Sequence, residues 1–226
     1  MQTEEVRLQK TAAGFELRAT NVLRGAAQMK PDFFDRDPRK VARALLGKLL
    51  IRETRGRVLI GRVVETEAYL GVGDAAAHSA AGKTARNAVL FGPPGYAYVY
   101  FIYGNHYCLN VSCLPDGVAG GVLFRALEPV AGVEEMARAR GIELRTDRDL
   151  RNISSGPGRM AEAFGITRER DNGKNFTSSR SDLRLADDGY RVRRVEVTPR
   201  IGIVKAAAEP LRYLVVGNRF VSGPKT

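Results

Sequence analysis

Apolar and polar residues alternate along VVETEAYLG, residues 63 to 71, which is the pattern of a β-strand. The side chains of a strand point alternately to its two faces. One face of this strand is therefore predicted to carry Val63, Glu65, Glu67 and Tyr69. Two carboxylates and a phenol would then share one side of an otherwise largely apolar strand.

A helix is predicted immediately before this strand. Asp37 is placed to cap it, Pro38 suits its first position, and Gly47 suits the turn after its end. The apolar residues of the helix fall on one buried stripe, formed by Val41, Leu45 and Leu46.

The same kind of pattern predicts the other elements. Residues 96–113, YAYVYFIYGNHYCLNVSC, form two β-rich runs around Gly104 and Asn105, which indicates a hairpin with Tyr103 at its tip. Further strands are predicted at 48–53, 57–69, 122–130, 193–204 and 211–222, and short helices at 133–141 and 158–165. Residues 70–95 are expected to be a loop with at most one helical turn, and residues 167–190 a polar surface excursion.

These elements predict a single α+β domain. The chain of 226 residues has neither an internal repeat nor a long linker, and its length is sufficient for one core. Residues 1–30 lack periodicity and are expected to be a poorly ordered N-terminal extension, with the domain spanning residues 31–226.

Charge and cysteine content narrow the range of functions. A net charge of +11 favours a polyanionic partner such as nucleic acid, although a basic surface that binds nothing would have the same composition. The two cysteines, Cys108 and Cys113, have neither the spacing nor the neighbours of a metal site, so no metal is expected. The N-terminus lacks an apolar signal region and no apolar run is long enough to span a bilayer, which predicts a cytoplasmic protein without a membrane partner.

Taken singly, the polar and aromatic residues have ordinary explanations. Glu65 and Glu67 could face water on an edge strand, the tyrosines could be core residues, and His78 could cap a loop. Together, a carboxylate, several aromatic rings and a basic surface are what an enzyme needs to act on a base extruded from a nucleic acid.

Seven motifs follow one another in a fixed order: GRVVETEAYLG, AAAHS, TARN, YVYFIYGNHYCLNVS, FRALEP, SSGPGRM and PLRYLVVGNRFVS. In this order they resemble the alkyladenine (3-methyladenine) DNA glycosylase family, the single-domain type without a helix-hairpin-helix, from about Phe33 to Ser222. The resemblance implies a curved, mostly antiparallel sheet with peripheral helices and a protruding hairpin. It also implies flipping of alkylated or deaminated purines out of duplex DNA and hydrolysis of their N-glycosidic bond.

Residue by residue, the resemblance assigns the general base to Glu67, whereas strand alternation by itself does not choose between Glu65 and Glu67. It assigns the base pocket to Tyr69, His78, Tyr100 and Asn110, and the side chain that fills the gap in the DNA stack to Tyr103. Arg125 is expected to contact the DNA backbone, with Arg86 and Lys83 as further candidates. No cofactor is implied, and the absence of lysine from ETEAY predicts a monofunctional enzyme without a lyase step.

The expected partner is thus double-stranded DNA with damaged purines, bound by a monomer in a bacterial cytoplasm. Two alternatives remain: a basic RNA-associated module without catalysis, and another hydrolase or transferase that uses the same sheet. The first leaves Glu67 unexplained.

Overall fold

The longest of the described strands, β3 (Arg57–Tyr69), lies in the middle of a single antiparallel sheet. The computed structural model describes residues 22–54, 56–102 and 104–223. Within those residues the other strands are β1 (Ala27–Gln28), β2 (Leu49–Thr54), β4 (Ala97–Ile102), β5 (His106–Ser112), β6 (Gly121–Ala131), β7 (Leu183–Asp187), β8 (Val195–Thr198) and β9 (Arg212–Val215).

The strands are arranged in the order β1-β7-β2-β3-β6-β5-β4, with β9 paired to β3 and β8 paired to β9. Each of these pairs is antiparallel. The α+β class predicted from the sequence is therefore confirmed, as is the hairpin formed by β4 and β5.

Around the sheet lie the helices α1 (Pro38–Leu45), α2 (Val133–Ala139), α3 (Asp147–Asn152), α4 (Pro157–Ala163) and α5 (Arg168–Asp171). Helix α1 begins as predicted, because the Asp37 carboxylate accepts the N–H of Arg39 and Pro38 occupies the first turn. Gly47 follows the helix with φ +86°, a left-handed conformation that favours glycine. Two 3₁₀ turns, Pro31–Phe33 and Ala88–Phe91, are also present, and residues 22–25 are helical.

The main core lies between the sheet and helices α1, α2 and α4. Its buried side chains include Val41 and Leu45 of α1, Met136 of α2 and Met160 of α4. Burial of one such side chain contributes about 1.5–3 kcal/mol. Ala97 and Val99 of β4 belong to this core, whereas the intervening Tyr98 and the next residue Tyr100 belong to a second cluster. The two faces of β4 therefore have separate roles.

The prediction that residues 167–190 form a surface excursion is wrong. This segment contains α5 and β7, and β7 pairs with both β1 and β2. The segment is polar partly because it contributes to a buried ion pair, which the sequence does not reveal. Asp171 binds the guanidinium of Arg52, and both side chains are fully buried. The alternating Leu183 and Leu185 are the apolar residues that place β7 in the sheet.

Two further differences concern the predicted strands near the C-terminus and the predicted start of the domain. The predicted strands 193–204 and 211–222 are shorter, and the intervening residues 199–211 form an extended loop. Strand β1 pairs with β7 and lies before the predicted domain boundary at residue 31. The fold therefore includes part of the proposed N-terminal extension. Residues 1–21 of that extension lie outside the described chain.

In the described ranges no helix has the length and apolar character to cross a bilayer.

Candidate active site

Strand β3 departs from regular alternation beside its two carboxylates. Its register with β6 shifts on both sides of Glu65, as in a β-bulge, which places an extra residue in one strand. Val63 therefore packs in the main core with Ala68, and its predicted place beside the carboxylates is wrong. Glu65 and Glu67 do share a face, because Arg125 contacts both.

That face borders a cavity of about 480 Å³. Pockets of a few hundred Å³ are the usual size for binding a small molecule or a single extruded base. Strands β3, β4 and β5 contribute to its lining, as do the loop after β3 and the segments 156–159 and 201–203. Among the lining side chains are Glu67, Tyr69, His78, Tyr98, Tyr100 and Asn110. The structure thus brings together every residue predicted for the base pocket.

Glu67 is buried at the edge of this cavity, with both carboxylate oxygens engaged. Oε1 accepts the backbone N–H of Ile201 at 2.8 Å and lies 3.0 Å from Nη1 of Arg125. Oε2 accepts the hydroxyl of Tyr69 at 3.1 Å. A buried carboxylate is stable only when such partners replace water, and these three hold the group in one orientation.

Glu65 is also buried, but it does not border the cavity. Its Oε1 accepts hydrogen bonds from Nε of Arg125, Nε of Arg212 and Oγ of Ser222, at 2.9, 2.6 and 2.9 Å. Its Oε2 accepts the N–H of Ser222 at 2.6 Å. Four donors occupy nearly all the acceptor positions of a carboxylate, so Glu65 joins β3 to β6, β9 and the C-terminal segment.

Arg125 lies between the two carboxylates and is 6% exposed. Nε binds Glu65, Nη1 contacts Glu67 and Nη2 donates to Ser222 Oγ at 3.3 Å. Burial opposes its charge, but the two carboxylates outweigh that effect and raise the pKa of Arg125. The predicted contact with the DNA backbone stays a prediction, and the buried position of the guanidinium supports a role beneath the cavity.

Tyr69 follows Glu67 on the same face of β3. Burial raises the pKa of its phenol, and the Glu67 carboxylate raises it further. The hydroxyl therefore stays protonated and donates a hydrogen bond to Glu67. The guanidinium of Arg200 lies 4.7 Å from the centre of the ring. The ring is therefore held between a buried cation and the cavity.

Three aromatic rings form another part of the lining. His78 meets Tyr100 edge to face, with ring centres 4.3 Å apart, and its Nδ1 is 3.0 Å from the hydroxyl of Tyr98. Although His78 is partly exposed, desolvation by burial lowers its pKa, and the positive charge of Arg86 lowers it further. This shift favours the uncharged imidazole at neutral pH.

Tyr98 was missed from the sequence, although strand alternation could have indicated it. It is 1% exposed, and its ring centre is 5.5 Å from that of Tyr100. Residues two apart in a strand share a face, so the assignment of Tyr100 to the pocket also places Tyr98 there. Asn110 of β5 lies opposite Tyr98 and donates Nδ2–H to its carbonyl oxygen at 3.3 Å.

The loop that carries His78 is fastened by Asn87, the last residue of the TARN motif. Its amide nitrogen donates to the carbonyl oxygens of His78 and Gly82, at 2.9 and 3.0 Å, and its oxygen accepts the N–H of Thr84 at 2.7 Å. Asn87 is 3% exposed. This motif therefore serves the site through loop geometry, a role that its sequence did not reveal.

Residues predicted to contact DNA have different outcomes. Arg86 and Lys83 are exposed on the loop that carries His78. Tyr103 lies outside the described residues, although Gly104 beside it has φ +74°, as the predicted turn requires. Their contacts with DNA stay predictions.

Other cavity residues were not anticipated: Cys108 and His106 of β5, Arg159 of α4 and Ile201 of the long loop. Ile201 contributes a backbone donor, which no side-chain pattern could identify. Among the described residues, no group of three or more His, Cys, Asp or Glu side chains is arranged to hold a metal ion.

Comparison with known proteins identifies the family. The family model for methylpurine-DNA glycosylase (MPG) matches residues 32–219. The chain is 66% identical over 202 residues to a protein of Koribacter versatilis, covering 88% of this chain and 96% of that protein. It is 48% identical over 195 residues to one of Burkholderia lata, covering 86% and 90%, and 41% identical over 202 residues to one of Alkaliphilus oremlandii, covering 86% and 98%. Each bears the name "Putative 3-methyladenine DNA glycosylase". The chain therefore belongs to the methylpurine-DNA glycosylase family.

Proposed function

We propose that this DNA glycosylase draws an alkylated or deaminated purine out of duplex DNA into the aromatic cavity and hydrolyses its N-glycosidic bond, leaving an abasic site. The observation that carries this proposal is the position of Glu67. Its carboxylate is buried, oriented by three partners, and lies at the edge of a cavity lined by tyrosines and a histidine.

In the proposed reaction, a water oxygen attacks C1′ of the flipped nucleotide while Glu67 accepts a proton from that water. The bond between C1′ and the purine nitrogen breaks, and its electron pair leaves with the base. Positive charge develops on the sugar as this bond stretches, and the nearby anion stabilises it. General-base assistance of this kind contributes about 10²–10⁴ to the rate.

The surroundings of Glu67 suit this task. Arg125 and the N–H of Ile201 bind Oε1, and Tyr69 donates to Oε2. The carboxylate thus remains in one orientation relative to the cavity, and orientation is a large part of catalysis. Glu65 does not border the cavity, and four hydrogen-bond donors occupy its carboxylate. This supports Glu67, and not Glu65, as the base.

The aromatic lining supports the proposed choice of base. Stacking of a base on rings such as Tyr69 and Tyr100 contributes about 1–3 kcal/mol. A positively charged alkylpurine adds a cation–π attraction of about 0.5–2 kcal/mol. Charged alkylpurines are also better leaving groups, so binding and chemistry favour the same lesions.

Asn110 and His78 would refine this selection. The amide of Asn110 lies in the lining, where it would crowd the exocyclic amino group of guanine and disfavour that normal base. Nδ1 of His78 is engaged by the Tyr98 hydroxyl, and the rest of the imidazole would be available to contact the base.

Three further residues are proposed to contact the DNA outside the base pocket. Tyr103 at the hairpin tip would occupy the space that the flipped nucleotide leaves in the stack. Arg86 and Lys83, which are exposed, would contact phosphates and position the duplex without reading its sequence. The net charge of +11 supports this electrostatic attraction.

The test is an excision assay on a DNA duplex with a single hypoxanthine or alkylated adenine, followed by alkaline cleavage of the abasic site. We expect strand breakage with the damaged duplex and none with an undamaged duplex of the same sequence. Tight binding to RNA without release of any base would contradict the proposal and favour a non-catalytic binding module.

A further inference from the structure

A buried ion pair lies behind the wall of the cavity, between Arg200 and Asp74. Nη1 of Arg200 is 2.5 Å from Oδ2 of Asp74, and Nη2 is 2.9 Å from Oδ1. The side chains are 0% and 2% exposed. Two parallel charge-assisted hydrogen bonds of this kind fix geometry as well as contributing energy.

The pair connects the long loop after β8, which contains Arg200, to strand β3 and to the loop after β3, which contains Asp74. Asp74 also accepts the N–H groups of Leu70 and Ala76, at 3.1 and 3.0 Å. Arg200 donates from Nη1 to the carbonyl oxygen of Ala68 in β3 at 3.0 Å. Burial opposes ionisation of Asp74, but Arg200 and these N–H donors more than offset it, so its pKa lies below the usual value.

Both oxygens of Glu67 depend on this connection. Oε1 accepts the N–H of Ile201, the residue that directly follows Arg200 in the chain. Oε2 accepts the hydroxyl of Tyr69, whose ring is covered by the Arg200 guanidinium. A shift of Arg200 would therefore displace two of the three partners that hold the carboxylate.

We infer that Arg200 and Asp74 are positioning residues for Glu67. They set the place of the Ile201 N–H and the Tyr69 hydroxyl, and through them the orientation of the carboxylate toward the cavity. The inference rests on the proposed role of Glu67 as general base. Neither residue touches the reacting atoms, so their effect should appear in the rate of bond cleavage and not in the affinity for DNA.

The chain contains a matched control. Arg52 and Asp171 form a second bidentate pair, with distances of 2.8 and 2.7 Å and both side chains fully buried. This pair joins β2 to α5, and neither residue lines the cavity. Damage to it should reduce stability without a specific effect on excision.

The experiment compares Arg200→Lys with Arg52→Lys, and Asp74→Asn with Asp171→Asn. For each variant, thermal unfolding, the dissociation constant for a hypoxanthine duplex and the single-turnover excision rate are measured separately.

For Arg200→Lys and Asp74→Asn we expect the excision rate to fall about 10–100-fold and the dissociation constant to stay unchanged. Small displacements at a reacting centre have effects of this size on the rate. For the two control variants we expect a lower unfolding temperature and the excision rate of the unmodified protein. Asp74→Asn keeps the shape of the side chain and leaves Arg200 in place, so it gives an independent measurement of the rate should Arg200→Lys fail to fold, and thermal unfolding reports whether each variant is folded.

A second measurement separates positioning from general damage. In a Glu67→Gln background, adding Arg200→Lys should cause no further loss of the residual rate, because the residue acts through Glu67. A further loss equal to that in the unmodified background would overturn the inference. A normal rate in both Arg200→Lys and Asp74→Asn would overturn it and leave the proposed function intact, whereas failure of the unmodified protein to release any damaged base would overturn both.

Discussion

Glu65 and Glu67 lie two residues apart on the same face of β3, yet only Glu67 borders the cavity. Arg125 links them, with Nε on Glu65 and Nη1 on Glu67. Of these two buried carboxylates, Glu65 therefore has a structural role and Glu67 lies beside the cavity. Substitutions of the two residues should have different consequences.

Glu67→Gln should reduce excision by about 10²–10⁴ because the amide cannot accept the proton of the attacking water. Binding to a lesion-containing duplex should change little, since the aromatic lining remains. Single-turnover excision and equilibrium binding, measured on the same duplex, check both parts. Full activity in this variant would remove Glu67 as the general base.

Glu65→Ala is the matched comparison. It leaves Arg212 without a carboxylate partner in a largely buried position, and loss of one member of a buried pair typically costs about 3–5 kcal/mol. Chemical denaturation should therefore show a large loss of stability. An unfolding free energy equal to that of the unmodified protein would contradict the structural role assigned to Glu65.

Tyr69→Phe removes the hydroxyl that donates to Glu67 Oε2 and keeps the ring beneath Arg200. A hydrogen bond to a charged group is worth about 1.5–3 kcal/mol, so we expect the excision rate to fall by about tenfold or more. Tyr69→Leu, which also removes the stacking surface, should weaken binding of the damaged duplex as well. Equal effects of the two variants on binding would show that the ring is not a stacking surface.

Asn110→Ala should weaken discrimination against guanine. The substitution removes an amide from the cavity lining and creates room beside the position proposed for the base. We expect the ratio of hypoxanthine to guanine excision to fall by about tenfold, the size of effect that small changes in a pocket produce. Competition between the two duplexes measures this ratio directly, and an unchanged ratio would exclude Asn110 as a selective residue.

The imidazole of His78 should titrate below its ordinary pKa of 6.5. Desolvation and the charge of Arg86 both disfavour the protonated form, so Arg86→Ala should raise the pKa, whereas Lys83→Ala serves as a control without an expected shift. Between the folded and unfolded pKa values the unfolded chain binds more protons, so the contribution of His78 to stability rises with pH through that window. NMR titration of the ring, assigned with a His78→Gln variant, checks the direction, and a midpoint above 6.5 would contradict it.

Gly71→Ala should destabilise the loop between β3 and His78. Gly71 has φ +93°, and a Cβ there would lie 2.0 Å from the carbonyl oxygen of Ala119, so the backbone must move. Gly82 has a similar φ of +97° with open space around it, so Gly82→Ala carries only the conformational cost, about 1–2 kcal/mol. Thermal unfolding should show a clearly larger loss for Gly71→Ala, and equal losses would mean that the loop adapts.

Local patterns in the sequence determined much of the fold. The cap at Asp37, the hairpin of β4 and β5, and the strand that contains ETEAY each depend on residues close together in the chain, and each lies where it was predicted. The ordered motifs also led to the family and to a set of pocket residues, because a linear order of motifs needs no coordinates.

What remained for the tertiary structure were relationships between distant segments. Strand alternation left Glu65 and Glu67 equivalent, and the difference between them arises from Arg212, Ser222 and Ile201, which are more than a hundred residues away. The polar segment 167–190 enters the fold because Asp171 meets Arg52 across the chain. A bulge moves Val63 to the other face of β3 through its pairing with β6. In each case the deciding interaction is a hydrogen bond or ion pair between residues that are distant in sequence. Such an interaction cannot be predicted from the local periodicity of the chain.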